Sequence, residues 1–90
     1  MGKIVQYATA GTLESSDVFV TVEPGSGGLE IEIESVVLQQ FGEEIRNVTE
    51  DVLRTCGIDE AKVAVVDRGA LECVLRARVE TAVLRGKEEA

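Results

Sequence analysis

The chain has 90 residues, 44% of them apolar, with 17 acidic against 9 basic side chains and a net charge of −8. That length allows one domain with a single modest core, and the negative charge excludes a nucleic-acid binder, which needs clustered Lys and Arg. No histidine is present, which removes Ser-His-Asp and Cys-His catalysis and the commonest metal ligand.

Residues 1–16, "MGKIVQYATAGTLESS", are mixed and small. They read as a short strand or irregular arm over 3–7, followed by a loop. Residues 17–23, "DVFVTVE", alternate: Val18, Val20 and Val22 face one way, Phe19, Thr21 and Glu23 the other. β-Branched residues at period two predict a strand. "PGSGG" (24–28) is a turn by composition. "LEIEIES" (29–35) alternates again, with Leu29, Ile31 and Ile33 inward and Glu30, Glu32 and Glu34 outward. Two strands and a short Gly-rich link predict a hairpin. The three glutamates must face water or basic partners, because buried unpaired carboxylates are very costly.

Val37, Phe41, Ile45, Val48, Val52 and Cys56 then recur at helical spacing, widened by Leu38 and Leu53. Ser35 is the expected N-cap, and Gly57 the expected stop. Residues 63–66, "VAVV", predict a short strand, and "DRG" (67–69) a turn ending in a left-handed glycine. The stretch 71–79 fits two patterns. Leu71, Cys73, Leu75, Ala77 and Val79 alternate like a strand, whereas Leu71, Val74, Leu75, Val79, Ala82 and Val83 form a helical stripe. The strand is preferred to about residue 79, followed by a short helix over "TAVLRGK". Arg76 and Arg78 then share a strand face, where opposite-charge pairing with Glu30, Glu32 and Glu34 is expected. The predicted fold is a single α+β domain over 1–90: a mainly antiparallel sheet with one long helix packed on it, β-β-α-β-β, and room for a short C-terminal helix.

Few motifs point to chemistry. Cys56 and Cys73 match no zinc spacing and read as buried, reduced thiols. Asn47-Val48-Thr49 is a chance sequon inside a helix, and the 24–28 glycines lack the Lys and helix of a P-loop. No metal site and no catalytic residue is predicted. The N-terminus has no signal-peptide core and no run is long enough to span a membrane, so neither a membrane nor a nucleic-acid partner is expected, and a cytoplasmic location is. That leaves "TLESSD", a hydroxyl-rich loop by composition, as the one place where a small acidic chain presents paired serines.

"AGTLESSDVFVTVEP", "QFGEEIRNV" and "VAVVDRGALECVLRARVETAVLR" resemble the citrate lyase acyl carrier proteins, the gamma subunits of bacterial citrate lyase, over nearly the whole chain. The resemblance implies a non-catalytic carrier subunit. It also implies a covalent phosphoribosyl-dephospho-coenzyme A group, derived from 2'-(5''-triphosphoribosyl)-3'-dephospho-CoA. The attachment residue it implies is the first serine of "ESSD", Ser15, with Ser16 the alternative. The implied partners are a prosthetic-group transferase, an alpha subunit that exchanges acetyl for citrate, and a beta subunit that cleaves the citryl thioester to oxaloacetate. Residues 1–16 become a mobile arm bearing the serine, with Gly11 lending bend and with Glu14 and Asp17 available to dock a basic groove. The similar carrier of malonate decarboxylase, an interaction module that docks by a strand edge, and an independent hydrolase are the competing readings.

Overall fold

The computed structural model describes residues 2–36 and 38–87. They form β1 (Gly2–Lys3), β2 (Ala8–Gly11), β3 (Val18–Glu23), β4 (Leu29–Ser35), α1 (Leu38–Thr55), β5 (Ile58–Asp67) and α2 (Glu72–Gly86). The α+β class and the single layer of helix on a sheet are as the patterning predicts, but the connections differ.

The longest strand, β5, lies at the centre. β3 pairs with it antiparallel (Val18↔Asp67 to Glu23↔Lys62) and β4 pairs with it parallel (Leu29↔Ala61 to Ser35↔Asp67). β2 pairs antiparallel with β3, and β1 runs parallel to the start of β5. The predicted β3–β4 hairpin therefore does not form, because β5 inserts between its two strands. Alternation in β3 and β4 reports only which face is buried, and says nothing of which strand is the neighbour. The link 24–28 has to pass the edge of β5 to reach β4. A Cβ on Gly25 would lie 2.8–3.0 Å from the Ala61 backbone, so this position admits no side chain. The sheet is mixed rather than mainly antiparallel.

Both helices cover one face of the sheet. Val18, Val20 and Val22 of β3, Ala61, Val63 and Val65 of β5, and Ala10 of β2 meet Ile45, Val48, Val52 and Leu53 of α1 and Leu75, Val79, Ala82 and Val83 of α2. Val37 and the Leu38 side chain, expected in the α1 stripe, lie outside the described residues. Phe41 is half-exposed rather than buried, and Thr49 is buried instead, its hydroxyl donating to the Ile45 carbonyl at 2.8 Å. Ser35, expected as an N-cap, ends β4, and its hydroxyl donates to Asp67 Oδ2 at 2.8 Å. α1 stops where Gly57 predicted, with the Gly57 N–H donating to the Arg54 carbonyl.

The larger correction is α2. Residues 72–86 are one helix, not a strand followed by a short helix. Over that length the helical stripe accounts for more burial than period two does. Leu, Ala, Arg and Glu favour helix, and both flanks of β5 along its second half are already taken by β3 and β4. Cys73 consequently lies on the exposed face of α2, while Cys56 is half-buried; both thiols are free. On the other face of the sheet Glu30, Glu32 and Glu34 are exposed as predicted. The 1–16 stretch is not a loop throughout, since it contributes β1, β2 and the buried Ile4. Among the described residues no helix is long and apolar enough to cross a membrane.

Candidate functional site

β2 and β3 form a hairpin whose loop, residues 12–17, carries both serines. The Thr12 N–H donates to the Val18 carbonyl at 3.2 Å and closes the ladder. This closure depends on Gly11, whose φ is +91° and whose absent Cβ would lie 1.8 Å from the Val18 carbonyl oxygen. Gly11 thus serves close approach of two strands rather than bending.

Within the loop, the Asp17 N–H donates to the Glu14 carbonyl at 3.1 Å, making a turn over 14–17. Ser16 occupies its third position with φ +64°, the sign a type II turn requires there. Ser16 is further held by its N–H, which donates to the Arg68 carbonyl at 2.9 Å, and the Arg68 N–H returns a bond of 2.9 Å to the Asp17 carbonyl. These two bonds carry the β3–β5 ladder past its last paired residues. Ser15 is at the apex. It is exposed, and among the described residues it makes no hydrogen bond.

Asp17 holds the loop. Its carboxylate accepts from the Thr12 hydroxyl (2.7 Å), the Val18 N–H (2.7 Å) and both Nε and Nη2 of Arg78 (3.2 and 3.1 Å). The Arg78 fork is bidentate, the geometry that most restricts both partners. The Thr12 hydroxyl, then the Val18 N–H, then Arg78 all favour the charged form, and together they bring the Asp17 carboxyl down to about 2. Its side chain is only 15% exposed. Asp17 is therefore engaged within the chain and is not available to dock a basic groove; Glu14 is exposed.

A second acidic residue fixes the neighbouring turn. Asp67 is 4% exposed, accepting from the Ser35 hydroxyl on Oδ2 and from the Ala70 N–H on Oδ1 at 3.0 Å. It sets the 67–70 turn that places Arg68 beside the serine loop. Behind that turn, between the first halves of α1 and α2, lies an apolar cleft of about 330 Å³ lined by Phe41, Ile45, Val48, Leu71 and Leu75, with Glu44 and Glu72 at it.

Sequence reasoning singled out Ser15 and Ser16 but missed what supports them. Arg78 was expected to pair across strands beside Arg76. On a helix, residues two apart diverge, so Arg76 bonds Glu72 and Asp51 of α1 while Arg78 reaches Asp17. The helical stripe through Val79, Ala82 and Val83 was the signal that separates them. Thr12 and Arg68 had no signal in the sequence, because their roles come from the β2–β3 and β3–β5 registers. Chemically the loop offers the exposed hydroxyls of Ser15 and Ser16 without a base: Asp17, engaged on both oxygens and held at about 2, cannot take a proton near neutrality. Among the described residues no group of three or more Cys, Asp or Glu is placed to hold a metal ion.

A protein-family model described as malonate decarboxylase delta subunit matches residues 5–86. The citrate lyase acyl carrier protein 2 of Salmonella paratyphi A is 51% identical over 88 residues, covering 97% of this chain and 91% of that one. The citrate lyase acyl carrier protein of Rhodopseudomonas palustris is 51% identical over 87 residues, covering 97% and 90%. Among solved structures, a chain of a Pseudomonas malonate decarboxylase hetero-tetramer in complex with malonate superposes with a TM-score of 0.80 at 24% identity, covering 93% of this chain and 87% of that one. At that identity the likeness shows a shared fold.

Proposed function

The chain belongs to the acyl carrier family that takes in the citrate lyase acyl carrier proteins and the malonate decarboxylase delta subunit, and from that premise we propose that it is the carrier subunit of a citrate lyase, with Ser15 as its attachment residue. The observation that carries the site is the contrast within the serine pair. Both serines are exposed and neither hydroxyl is bonded among the described residues; the difference lies in the backbone, where the Ser16 N–H is tied to the Arg68 carbonyl at positive φ while Ser15 makes no hydrogen bond at the apex of the loop. A bulky group on Ser15 displaces nothing in the fold. The proposed group is phosphoribosyl-dephospho-coenzyme A, joined as a phosphodiester. When attached, it supplies a terminal thiol that holds acetyl or citryl as a thioester between the alpha and beta subunits, with citrate yielding acetate and oxaloacetate.

The chain's own residues do three things. Ser15 Oγ would give up its proton as it joins the ribose-linked phosphorus of the triphosphoribosyl donor, whose other two phosphates leave as pyrophosphate, and the base that takes the proton must come from the transferase, because Asp17 is too acidic and too occupied. Asp17, Thr12 and Arg78 hold the loop so that Ser15 is presented at a fixed point relative to α2. The domain then serves as a soluble anchor for the tether, raising the local acyl concentration at each partner's site without contributing to either reaction. The role is non-catalytic, and the proposed location is the cytoplasm beside those partners.

The second reading, the carrier of malonate decarboxylase, is favoured by the family description and by the fold likeness. The two relatives at 51% identity favour citrate lyase. The deciding experiment is the intact mass of the chain from its native host, with fragmentation across 12–18, followed by transferase modification of Ser15→Ala and Ser16→Ala. Added mass on the wild type and on Ser16→Ala but not on Ser15→Ala supports the site. Mass retained by Ser15→Ala refutes it. Acetate release from the modified, acetylated chain on adding citrate and a citrate lyase alpha subunit, and not with the malonate decarboxylase counterpart, separates the two carriers.

A further inference from the structure

The described residues include six arginines. Arg46 bonds the Ile31 carbonyl, Arg54 bonds Glu50, Arg76 bonds Asp51 and Glu72, Arg78 bonds Asp17, and Arg85 bonds the Thr9 carbonyl. Arg68 is the exception: it is exposed, and among the described residues its guanidinium has no partner. Arg46, Arg68 and Arg85 bond no carboxylate, but of the three only Arg68 has no backbone carbonyl partner either among the described residues, and it sits beside the serine loop.

Its placement is fixed by backbone. The Arg68 carbonyl accepts from the Ser16 N–H and its N–H donates to the Asp17 carbonyl, both at 2.9 Å. The buried Asp67 holds the turn from the other side through Ala70 and Ser35. Adjacent strands lie about 4.8 Å apart, well inside the reach of an arginine stem. The opposing fact is local charge: Glu14 and Asp17 bracket the serines, and the whole chain is at −8. A phosphate brought to Ser15 is repelled unless a cation offsets it, and Arg78 is already committed to Asp17. A guanidinium matches phosphate oxygens in a planar fork, which an ammonium cannot do.

We propose that Arg68 is a phosphate-binding residue that grips the phosphate joined to Ser15 and, before that bond forms, the phosphates of the incoming donor. This rests on Ser15 being the attachment residue, and its test is chosen to stand apart from that reading. The probe is phosphoserine incorporated at position 15 in the full chain, followed by ³¹P NMR against pH. Phosphoserine ionises a second time near pH 6, and a guanidinium within contact distance stabilises the dianion. In Arg68→Gln the midpoint is expected to rise by about half a pH unit. Arg46→Gln removes the same charge from α1, and it is expected to leave the midpoint in place. In the transferase reaction Arg68→Gln is expected to raise KM for the phosphate-bearing donor roughly tenfold, with Arg68→Lys recovering part of the loss and kcat moving less.

Equal midpoints in wild type and Arg68→Gln, or equal shifts in Arg68→Gln and Arg46→Gln, overturn the assignment. If the transferase leaves wild-type Ser15 unmodified, the carrier site falls, while the phosphoserine titration still decides whether Arg68 binds a phosphate there.

Discussion

Gly11→Ala is the substitution that most directly tests how the serine loop is held. Gly11 sits at the end of β2 with φ +91°, and an added Cβ would lie 1.8 Å from the Val18 carbonyl oxygen. Holding an L-residue at positive φ costs about 1–2 kcal/mol. Relieving the clash requires β2 to swing away from β3, which forfeits the Thr12 N–H to Val18 carbonyl bond, worth about 1 kcal/mol. The sum is about 2–3 kcal/mol, a large share of the stability a domain of this size has. For a domain under 100 residues that corresponds to a fall in Tm of roughly 10–20 °C. Thermal unfolding followed by circular dichroism, with urea titration for the free energy, measures it. Melting of Gly11→Ala within a few degrees of wild type would show that β2 does not approach β3 this closely, and the description of the loop would have to be abandoned.

Other outcomes follow from the same geometry. Arg78→Ala releases one of three holds on Asp17 and loosens the 14–17 turn, so a Glu-specific protease should cut after Glu14 faster than in wild type, at unchanged Tm within a few degrees; equal rates would mean the fork does not restrain the loop. Asp17 ionises lower in the folded state, at about 2 against an ordinary 3.8, so its stabilisation is full above about pH 4 and is lost as pH falls toward 2. The stability gap between wild type and Asp17→Asn, read from urea midpoints, should therefore narrow over that acid range and stay flat from pH 5 to 8. A thiol reagent should label exposed Cys73 well before half-buried Cys56, whose ionisation is pushed up first by burial and then by Glu80; the reverse order would contradict the assignment of 72–86 as a helix.

The sequence by itself determined which residues face the core in β3 and β4 and, in α1, Ile45, Val48, Val52 and Leu53, together with the exposure of Glu30, Glu32 and Glu34 and the stop at Gly57. These follow from periodicity and local backbone preference, which act over a few residues at a time. It also placed the serines on a loop. Tertiary structure decided the rest. Which strand neighbours β5 depends on the pairing of segments dozens of residues apart, and alternation is blind to that choice. The 72–86 segment satisfied two periods at once, and its helical state follows from β5 having both flanks filled along its second half and from the helix covering β2 and β3. The serine site shows the same division. "ESSD" is legible, but Thr12, Arg68 and Arg78 reach it only because a hairpin, a ladder and a helix converge there, and hydrogen bonds between distant residues leave no local trace in composition or spacing.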